Sequence, residues 1–111
     1  MTLSDFTVTF WGVRGSRPVP GPGTVIYGGN TPCVEVRIGK RLIILDAGTG
    51  ITNLGSRLMQ EPGPVCGDIF ITHAHWDHIQ GFPFFQPAFR KGNSFCLYGE
   101  RNRNISFAAL I

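Results

Sequence analysis

Apolar and polar residues alternate near the start of the chain, and a β-rich hairpin follows. Residues 6–11, Phe-Thr-Val-Thr-Phe-Trp, predict a half-buried strand that ends at Gly12. Two further β-rich runs, Cys33–Ile38 and Arg41–Leu45, are joined by Gly39-Lys40, and a two-residue link with Gly first predicts a type II′ turn. Because the second run is apolar after its first residue, we expect it to be an interior strand.

The pattern then changes to a helical period. Apolar residues at positions 51, 54, 58 and 59 share one face of a helix, and Pro62-Gly63-Pro64 ends that segment. The run Asp68–Thr72 predicts a short buried strand that leads into a turn. A strand, a helix and a second strand in succession are typical of α/β proteins. We therefore predict an α/β (α+β) fold made mostly of β-strands, with a helix on one face.

The last third of the chain is less regular. Gly81–Phe89 is an apolar stretch whose aromatic residues either line a pocket or, as we favour, belong to the core. Phe95–Tyr98 predicts a strand, and residues 105–111 predict the beginning of a helix capped by Ser106. Since this segment has no Gly, Pro or basic terminator, we expect the chain to be cut off inside an element.

Composition sets the class of protein. A length of 111 residues predicts a single domain over residues 1–111, and 15 Gly with 8 Pro favour short strands and tight turns over a helical bundle. The net charge of +3 comes from ten basic residues spread along the chain, so nucleic acid is only weakly supported as a partner. With no secretory leader and no membrane-spanning run, we expect a cytoplasmic protein without membrane contact.

The cysteines predict no disulfide framework. Cys33, Cys66 and Cys96 are odd in number, widely separated and free of any Cys-x-x-Cys pair. We interpret them as buried free thiols in a reducing compartment.

All three histidines fall within six positions, at His73, His75 and His78, with Asp77 between the last two. Side chains two residues apart in an extended segment point to the same side, so His73 and His75 can converge on one metal ion. Imidazole nitrogen is a preferred ligand of zinc and similar metals. Once the chain turns, Asp77 and His78 can reach a second ion. An alternative is a polar turn in which Asp77 favours a helix N-terminus, but this leaves three clustered imidazoles unexplained.

The motif His73-x-His75-x-Asp77-His78 after an apolar strand resembles the signature of the metallo-β-lactamase superfamily. The resemblance implies a metal-dependent hydrolase in which His73 and His75 bind one ion, Asp77 and His78 bind the other, and a bridging water attacks the substrate. Two Zn²⁺ ions are expected, with Mn²⁺ or Fe²⁺ as alternatives. Asp77 is also the candidate catalytic residue, because it can orient the nucleophile. The implied fold is the N-terminal half of an αββα sandwich.

Asp46 fits a second feature of that family, an acidic residue that ends an apolar strand and precedes Gly. The resemblance implies that its carboxylate supports the metal-site turn by hydrogen bonding and orients the ligating imidazoles. The alternative is an ordinary turn at the end of a strand.

The glycine-rich segment from Gly12 to Asn30 predicts a long loop, which in a compact domain is usually functional or mobile. Its beginning, Trp11–Pro20, together with Tyr27–Cys33, looks like the branch that contains cyclic-nucleotide phosphodiesterases and tRNA 3′-processing endonucleases. This resemblance implies a small-molecule or nucleotide phosphodiester as substrate. Backbone amides of Gly15 and Ser16, with Arg14 or Arg17, can hold a phosphate. The favoured alternative is that the glycines only permit a tight crossing between strands.

The sequence departs from the family in supplying only two ligands for each metal, because relatives take further His and Asp ligands from downstream. We therefore expect residues 1–111 to be the first half of the domain, with weak metal binding and little hydrolysis on its own. Its apolar sheet face should be uncovered, which predicts poor solubility. A non-catalytic metal-binding fragment, a homodimer that completes the site in trans, and a thioesterase, lactonase or β-lactamase all remain open.

Overall fold

A five-stranded sheet organises residues 5–24 and 28–99, the part of the chain that the computed structural model describes. The strands lie side by side in sequence order. They are β1 (Phe6–Gly12), β2 (Cys33–Ile38), β3 (Arg41–Leu45), β4 (Cys66–Ile71) and β5 (Ser94–Gly99). The first three strands are antiparallel, whereas β3, β4 and β5 run parallel. The predicted α/β class is confirmed, and β3 is the central strand, as its apolar run predicts.

The helices are short. Helix α1 (Ile51–Leu58) connects β3 to the parallel strand β4, and α2 (Trp76–Ile79) follows β4. Single 3₁₀ turns occupy Pro22–Thr24, Phe82–Phe84 and Gln86–Phe89. Helix α1 buries Ile51, Leu54 and Leu58 because these residues recur at helical spacing, and together with Leu42, Ile44 and Ile69 they form the core on one side of the sheet.

The hairpin between β2 and β3 has the predicted link. Gly39 has φ of 60°, while Lys40 is not among the described non-glycine residues with positive φ, as a type II′ turn requires. The cross-strand pairing of Ile38 with Arg41 closes directly on this turn.

Among the described residues, no helix packs on the other face of the sheet, where many side chains are apolar. Phe6, Val8 and Phe10 of β1 are 48%, 47% and 68% exposed, so the half-buried strand predicted from their alternation is wrong about which side chains are buried. The strand register places Val34 and Val36 of β2, Ile43 and Leu45 of β3, Phe70 of β4 and Tyr98 of β5 on the same side. We call these nine residues the open face. The alternation correctly marks a strand, but α1 packs on the opposite face.

All three cysteines are free thiols, as predicted, but the predicted burial is correct for one of them. Cys33 is buried, whereas Cys66 and Cys96 are exposed. Cys96 pairs with Asp68 across β4 and β5 and lies on the side of the sheet opposite α1, where no helix within residues 5–24 and 28–99 packs, so its apolar character does not lead to burial.

The aromatic stretch after α2 divides between core and surface. Phe85 is fully buried against Phe95, with ring centroids 5.1 Å apart, whereas Phe84 and Phe89 are 66% and 67% exposed. The preference for a core role therefore holds for Phe85. Its ring also lies 3.1 Å from where a Cβ at Gly55 would stand, so a side chain at residue 55 would require Phe85 to shift by a few tenths of an ångström.

A buried carboxylate ties β1, β2 and α1 together. Glu35 is 1% exposed. It accepts hydrogen bonds from Trp11 Nε1 at 2.9 Å and Arg37 Nε at 2.7 Å, and Arg57 Nη1 lies 3.6 Å away. Burial of a charge is tolerated here because it is paired and hydrogen-bonded.

The predicted helix at residues 105–111 with its Ser106 cap lies outside the described residues. Within the described ones, no helix has the length and apolar character needed to cross a membrane.

Candidate metal centre

The carboxyl ends of β3 and β4 place the candidate residues together. Because these strands are parallel, the segments that follow them leave the sheet at the same edge. Asp46 follows β3 directly, and its N–H donates to the carbonyl of Phe70 at 2.8 Å. Thr72 follows β4 and begins the turn that carries the histidines.

Asp46 binds that turn through both carboxylate oxygens. Oδ1 accepts from the Thr72 N–H at 2.8 Å, and the Thr72 hydroxyl donates to Oδ1 and Oδ2 at 3.1 and 2.9 Å. Asp46 is 6% exposed and has φ of 68°, a left-handed conformation that Asp tolerates better than most residues. The family-based expectation for Asp46 corresponds to these contacts.

The imidazole rings of His73, His75 and His78 lie close together. The His73 ring lies 4.4 Å from that of His75 and 3.9 Å from that of His78, measured between centroids. His73 and His75 lie in the extended turn, whereas His78 projects from α2. Asp77 joins the cluster through Oδ2, which is 3.5 Å from Nε2 of His78. All four ligands predicted from the motif thus occupy one region of the surface.

Thr72 determines which nitrogen of His73 carries the proton. Its hydroxyl oxygen lies 3.2 Å from His73 Nδ1. A hydroxyl has a single hydrogen, and that hydrogen is directed to Asp46, so the oxygen is left to accept. His73 then donates from Nδ1, and Nε2 keeps the lone pair that a metal needs. This tautomer is inferred from the hydrogen-bond network.

The ring of His78 lies close to two carboxylates. Its Nδ1 is buried and lies 3.0 Å from Asp46 Oδ2, although the pair does not meet hydrogen-bond geometry. Its Nε2 faces Asp77. This places the two acidic side chains on opposite nitrogens of one ring.

Asp77 is held as a carboxylate. Burial raises its pKa, but the hydrogen bond from the Ser16 N–H and the charges of His78 and His73 oppose this and leave the pKa below its ordinary value. The side chain, 15% exposed, is therefore ionised at neutral pH and available as a hard oxygen ligand.

Thr31, a buried residue outside the histidine motif, hydrogen-bonds both the turn after β3 and the segment after α2. Thr31 is fully buried, and its hydroxyl accepts from the Thr49 N–H at 2.7 Å and from Gln80 Nε2 at 3.2 Å. Gly48 lies in the turn after β3, where a Cβ would stand 2.5 Å from both the Thr31 hydroxyl and the Asp77 carbonyl oxygen. The close approach of these segments therefore requires glycine at position 48. No local sequence pattern identifies the role of Thr31.

The N-terminal loop reaches the site through its backbone. The Ser16 N–H donates to Asp77 Oδ2 at 3.1 Å. Arg14, Gly15 and Ser16 line a cavity of about 650 Å³ together with Val13, Gly23, Thr24 and Gly28. Arg17 is exposed and is not among the described residues that line this cavity. The Ser16 amide is therefore engaged by Asp77, which leaves Gly15 and Arg14 as the candidate phosphate contacts in this cavity.

The donor types in this cluster suit a metal ion, but the spacing of the imidazole rings does not. Three imidazoles and a carboxylate are the donor set that zinc, manganese or iron takes. The ring spacings, however, are shorter than the roughly 5 Å between imidazole centroids that bond lengths at a tetrahedral ion imply. Accordingly, no group of three or more His, Cys, Asp or Glu within residues 5–24 and 28–99 is arranged to hold an ion as it stands. The residues fit a divalent ion in chemistry, and the rings lie in mutual contact.

Comparison with known proteins gives a family match and a structural match. The family model of the metallo-beta-lactamase superfamily matches residues 26–93, more than half of the 111 residues. A Thermotoga maritima protein provisionally described as a metallo-beta-lactamase is similar in structure, with 21% sequence identity and a TM-score of 0.43. That comparison covers 82% of this chain and 42% of the Thermotoga chain, so the present chain spans less than half of that structure's length. No curated protein matches the chain.

Proposed function

Because the chain belongs to the metallo-beta-lactamase superfamily, we propose that it forms the metal-binding half of a hydrolase that cleaves phosphodiesters. The observation that supports this most directly is the meeting of His73, His75 and His78 with Asp77 at the carboxyl edge of β3 and β4. In this proposal His73 and His75 hold one ion, and Asp77 and His78 hold a second.

The chain's own residues prepare this site for chemistry. Asp46 and Thr72 hold Nδ1 of His73 as a donor, so its Nε2 is free to bind. Asp77, fixed by the loop, is placed to orient a water nucleophile. The chemistry that bound divalent ions supply is a more acidic water and stabilisation of charge in the transition state.

The proposed substrate class follows from the loop that contacts Asp77. Arg14 lines the cavity beside Ser16, and the planar guanidinium fork suits phosphate oxygens. Gly15 brings the backbone to the same wall without a side chain. We therefore favour a small-molecule or nucleotide phosphodiester over a thioester, a lactone or a β-lactam, which share the motif but have no phosphate.

The proposed setting is the cytoplasm, with Zn²⁺ as the first metal to test and Mn²⁺ or Fe²⁺ as alternatives. Two exposed thiols without a disulfide are compatible with a reducing compartment.

The test combines metal binding with substrate choice. The purified chain is titrated with Zn²⁺ and Mn²⁺ by calorimetry, and hydrolysis of bis(p-nitrophenyl) phosphate is compared with that of a thioester and a chromogenic cephalosporin. We expect weak binding that is abolished in His73→Ala and retained in Gln60→Ala, an exposed control on the surface. Any hydrolysis should be of the phosphodiester. Absence of binding at millimolar metal would refute the metal site, and turnover of the thioester or cephalosporin alone would refute the substrate class.

The second candidate is a non-catalytic metal-binding fragment or a homodimer that supplies the missing ligands in trans. The observation that favours it is that only four candidate ligands lie together among the described residues, two for each ion. The coding sequence beyond Ile111 discriminates the two. A continuing frame with further His and Asp supports the hydrolase, whereas a stop codon followed by decayed sequence supports the fragment.

A further inference from the structure

A backbone amide of the N-terminal loop is bound to a candidate ligand. The Ser16 N–H donates to Asp77 Oδ2 at 3.1 Å, although the two residues are 61 positions apart. A donor that faces an ionised carboxylate forms a charge-assisted hydrogen bond, which is stronger than one between neutral groups. This bond joins the loop before β2 to the turn after β4.

Ser16 adopts an unfavourable conformation in making this contact. Its φ of 68° lies in the left-handed region, where a Cβ is disfavoured, and Asp46 is the other described non-glycine residue with positive φ. The loop is anchored on both sides of Ser16, by the Arg14 N–H to the Asn30 carbonyl at 3.0 Å and by the Val19 N–H to the Gly29 carbonyl at 2.8 Å. These anchors hold the strained residue with its N–H directed at Asp77.

The strained residue also belongs to the cavity wall. Ser16 lines the cavity of about 650 Å³ together with Gly15 and with Gly23 and Thr24 of the 3₁₀ turn at Pro22–Thr24. One residue therefore lines the cavity and hydrogen-bonds Asp77 through its main chain.

We propose that Ser16 is a positioning residue whose main-chain N–H, and not its hydroxyl, fixes the Asp77 carboxylate and couples the cavity wall to the metal centre. The proposal rests on the proposed function only in so far as Asp77 binds an ion. The hydrogen bond itself needs no ion, so it is tested separately.

The first test uses the metal-free chain. Amide hydrogen exchange is followed by NMR in wild type and in Asp77→Ala, with the Arg14 amide as an internal control because it is bonded to Asn30. Loss of a bond to a charged acceptor should raise the exchange rate of the Ser16 amide about tenfold and leave that of Arg14 unchanged. Equal Ser16 exchange rates in the two proteins would overturn the proposal.

The second test separates the amide from the hydroxyl. Ser16→Gly keeps the N–H and accepts positive φ, Ser16→Ala removes only the hydroxyl, and Ser16→Val adds a β-branched side chain that the left-handed region rejects. Co²⁺ binding is titrated and followed by the visible absorption spectrum of the bound ion. Ser16→Gly should keep the wild-type affinity, and Ser16→Ala should have nearly the same affinity. Ser16→Val should bind Co²⁺ about tenfold more weakly and with an altered spectrum.

The results of the two tests distinguish a role of the Ser16 amide from a role of its hydroxyl, and both from failure of the proposed function. Equal losses in the Gly and Ala variants would assign the role to the hydroxyl and overturn the proposal, as would wild-type affinity and spectrum in Val. If the wild-type chain binds no Co²⁺, the proposed function fails, while the exchange measurement still decides whether Ser16 positions Asp77.

Discussion

Oδ2 of Asp46 lies 3.0 Å from Nδ1 of His78, on the side of the ring opposite Asp77. The same carboxylate receives the Thr72 N–H and hydroxyl, so one buried side chain contacts both ends of the histidine turn. A carboxylate beside metal-ligating imidazoles can fix their orientation.

Replacement of Asp46 should therefore weaken metal binding more than it weakens the fold. Asp46→Asn retains the shape and tolerates positive φ, but it lacks the charge. We expect about 10- to 100-fold weaker Zn²⁺ affinity by chelator competition. Asp5→Asn is the matched control at an exposed position remote in sequence. Equal affinities of wild type and Asp46→Asn would show that the carboxylate has no orienting role.

Thr72 should set the tautomer of His73. Thr72→Val removes the hydroxyl oxygen that accepts from Nδ1, whereas Thr72→Ser retains it. ¹⁵N NMR of the metal-free protein at a pH where the rings are neutral should show Nδ1–H in wild type and Thr72→Ser, and a shift toward Nε2–H in Thr72→Val. If the Val variant keeps the wild-type ¹⁵N shifts, the inferred relay from Asp46 through Thr72 is wrong.

Gly48 should resist any side chain. In Gly48→Ala the new methyl group would meet the Thr31 hydroxyl and the Asp77 carbonyl oxygen at 2.5 Å, so the two turns must separate. We expect a loss of about 2 kcal/mol or more in the free energy of unfolding, the range of overpacking in a dense region. Gly23→Ala is the control, since a Cβ there meets nothing within 4 Å. Urea denaturation measures both, and equal midpoints would contradict the close approach.

The thiols should react in two classes. Burial, with the negative charges of Asp46 and Glu35, raises the pKa of Cys33, so little thiolate forms and access is blocked, whereas Cys66 and Cys96 are exposed. A chromogenic disulfide reagent at pH 8 should modify two thiols of the native protein quickly and the third only in denaturant. Cys33→Ala should remove only the thiol that reacts in denaturant and leave the two fast thiols unchanged. Fast reaction of all three thiols in the native protein would place Cys33 at the surface.

The open face should limit solubility. Phe10 is 68% exposed and lies at the edge strand, where unpaired backbone groups add to the tendency to aggregate. The double substitution Val8→Lys and Phe10→Lys should raise the soluble fraction severalfold and sharpen the elution profile in gel filtration. Thr7→Lys, on the opposite side of the same strand, provides the control. A soluble, monodisperse wild type would contradict this expectation.

Much of the fold follows from local patterns in the sequence. The alternation of β1, the Gly39 turn, the apolar run of β3 and the helical spacing of α1 all predict elements that the structure contains. These features depend on backbone conformation and side-chain period, which neighbouring residues set. The histidine motif likewise identifies the ligand candidates, because its donors are close in sequence.

What the sequence alone did not decide is which surfaces meet. The period of β1 marks two faces, but only the packing of α1 decides that Phe6, Val8 and Phe10 lie on the uncovered one. Cys66 and Cys96 are exposed for the same reason. Burial is a property of the assembled layers, and a strand's alternation is identical whichever face is covered.

Within the site, the sequence by itself determined the candidate donors, and the tertiary structure decided which contacts they make. His73, His75, Asp77 and His78 are specified by a motif of six residues, and the Asp46 turn by its position after an apolar strand. The contact of Ser16 with Asp77 and the burial of Thr31 against Thr49 and Gln80 join segments far apart in the chain. Such contacts depend on the parallel pairing of β3 with β4, which brings separate turns to one edge of the sheet, and no local pattern encodes that meeting.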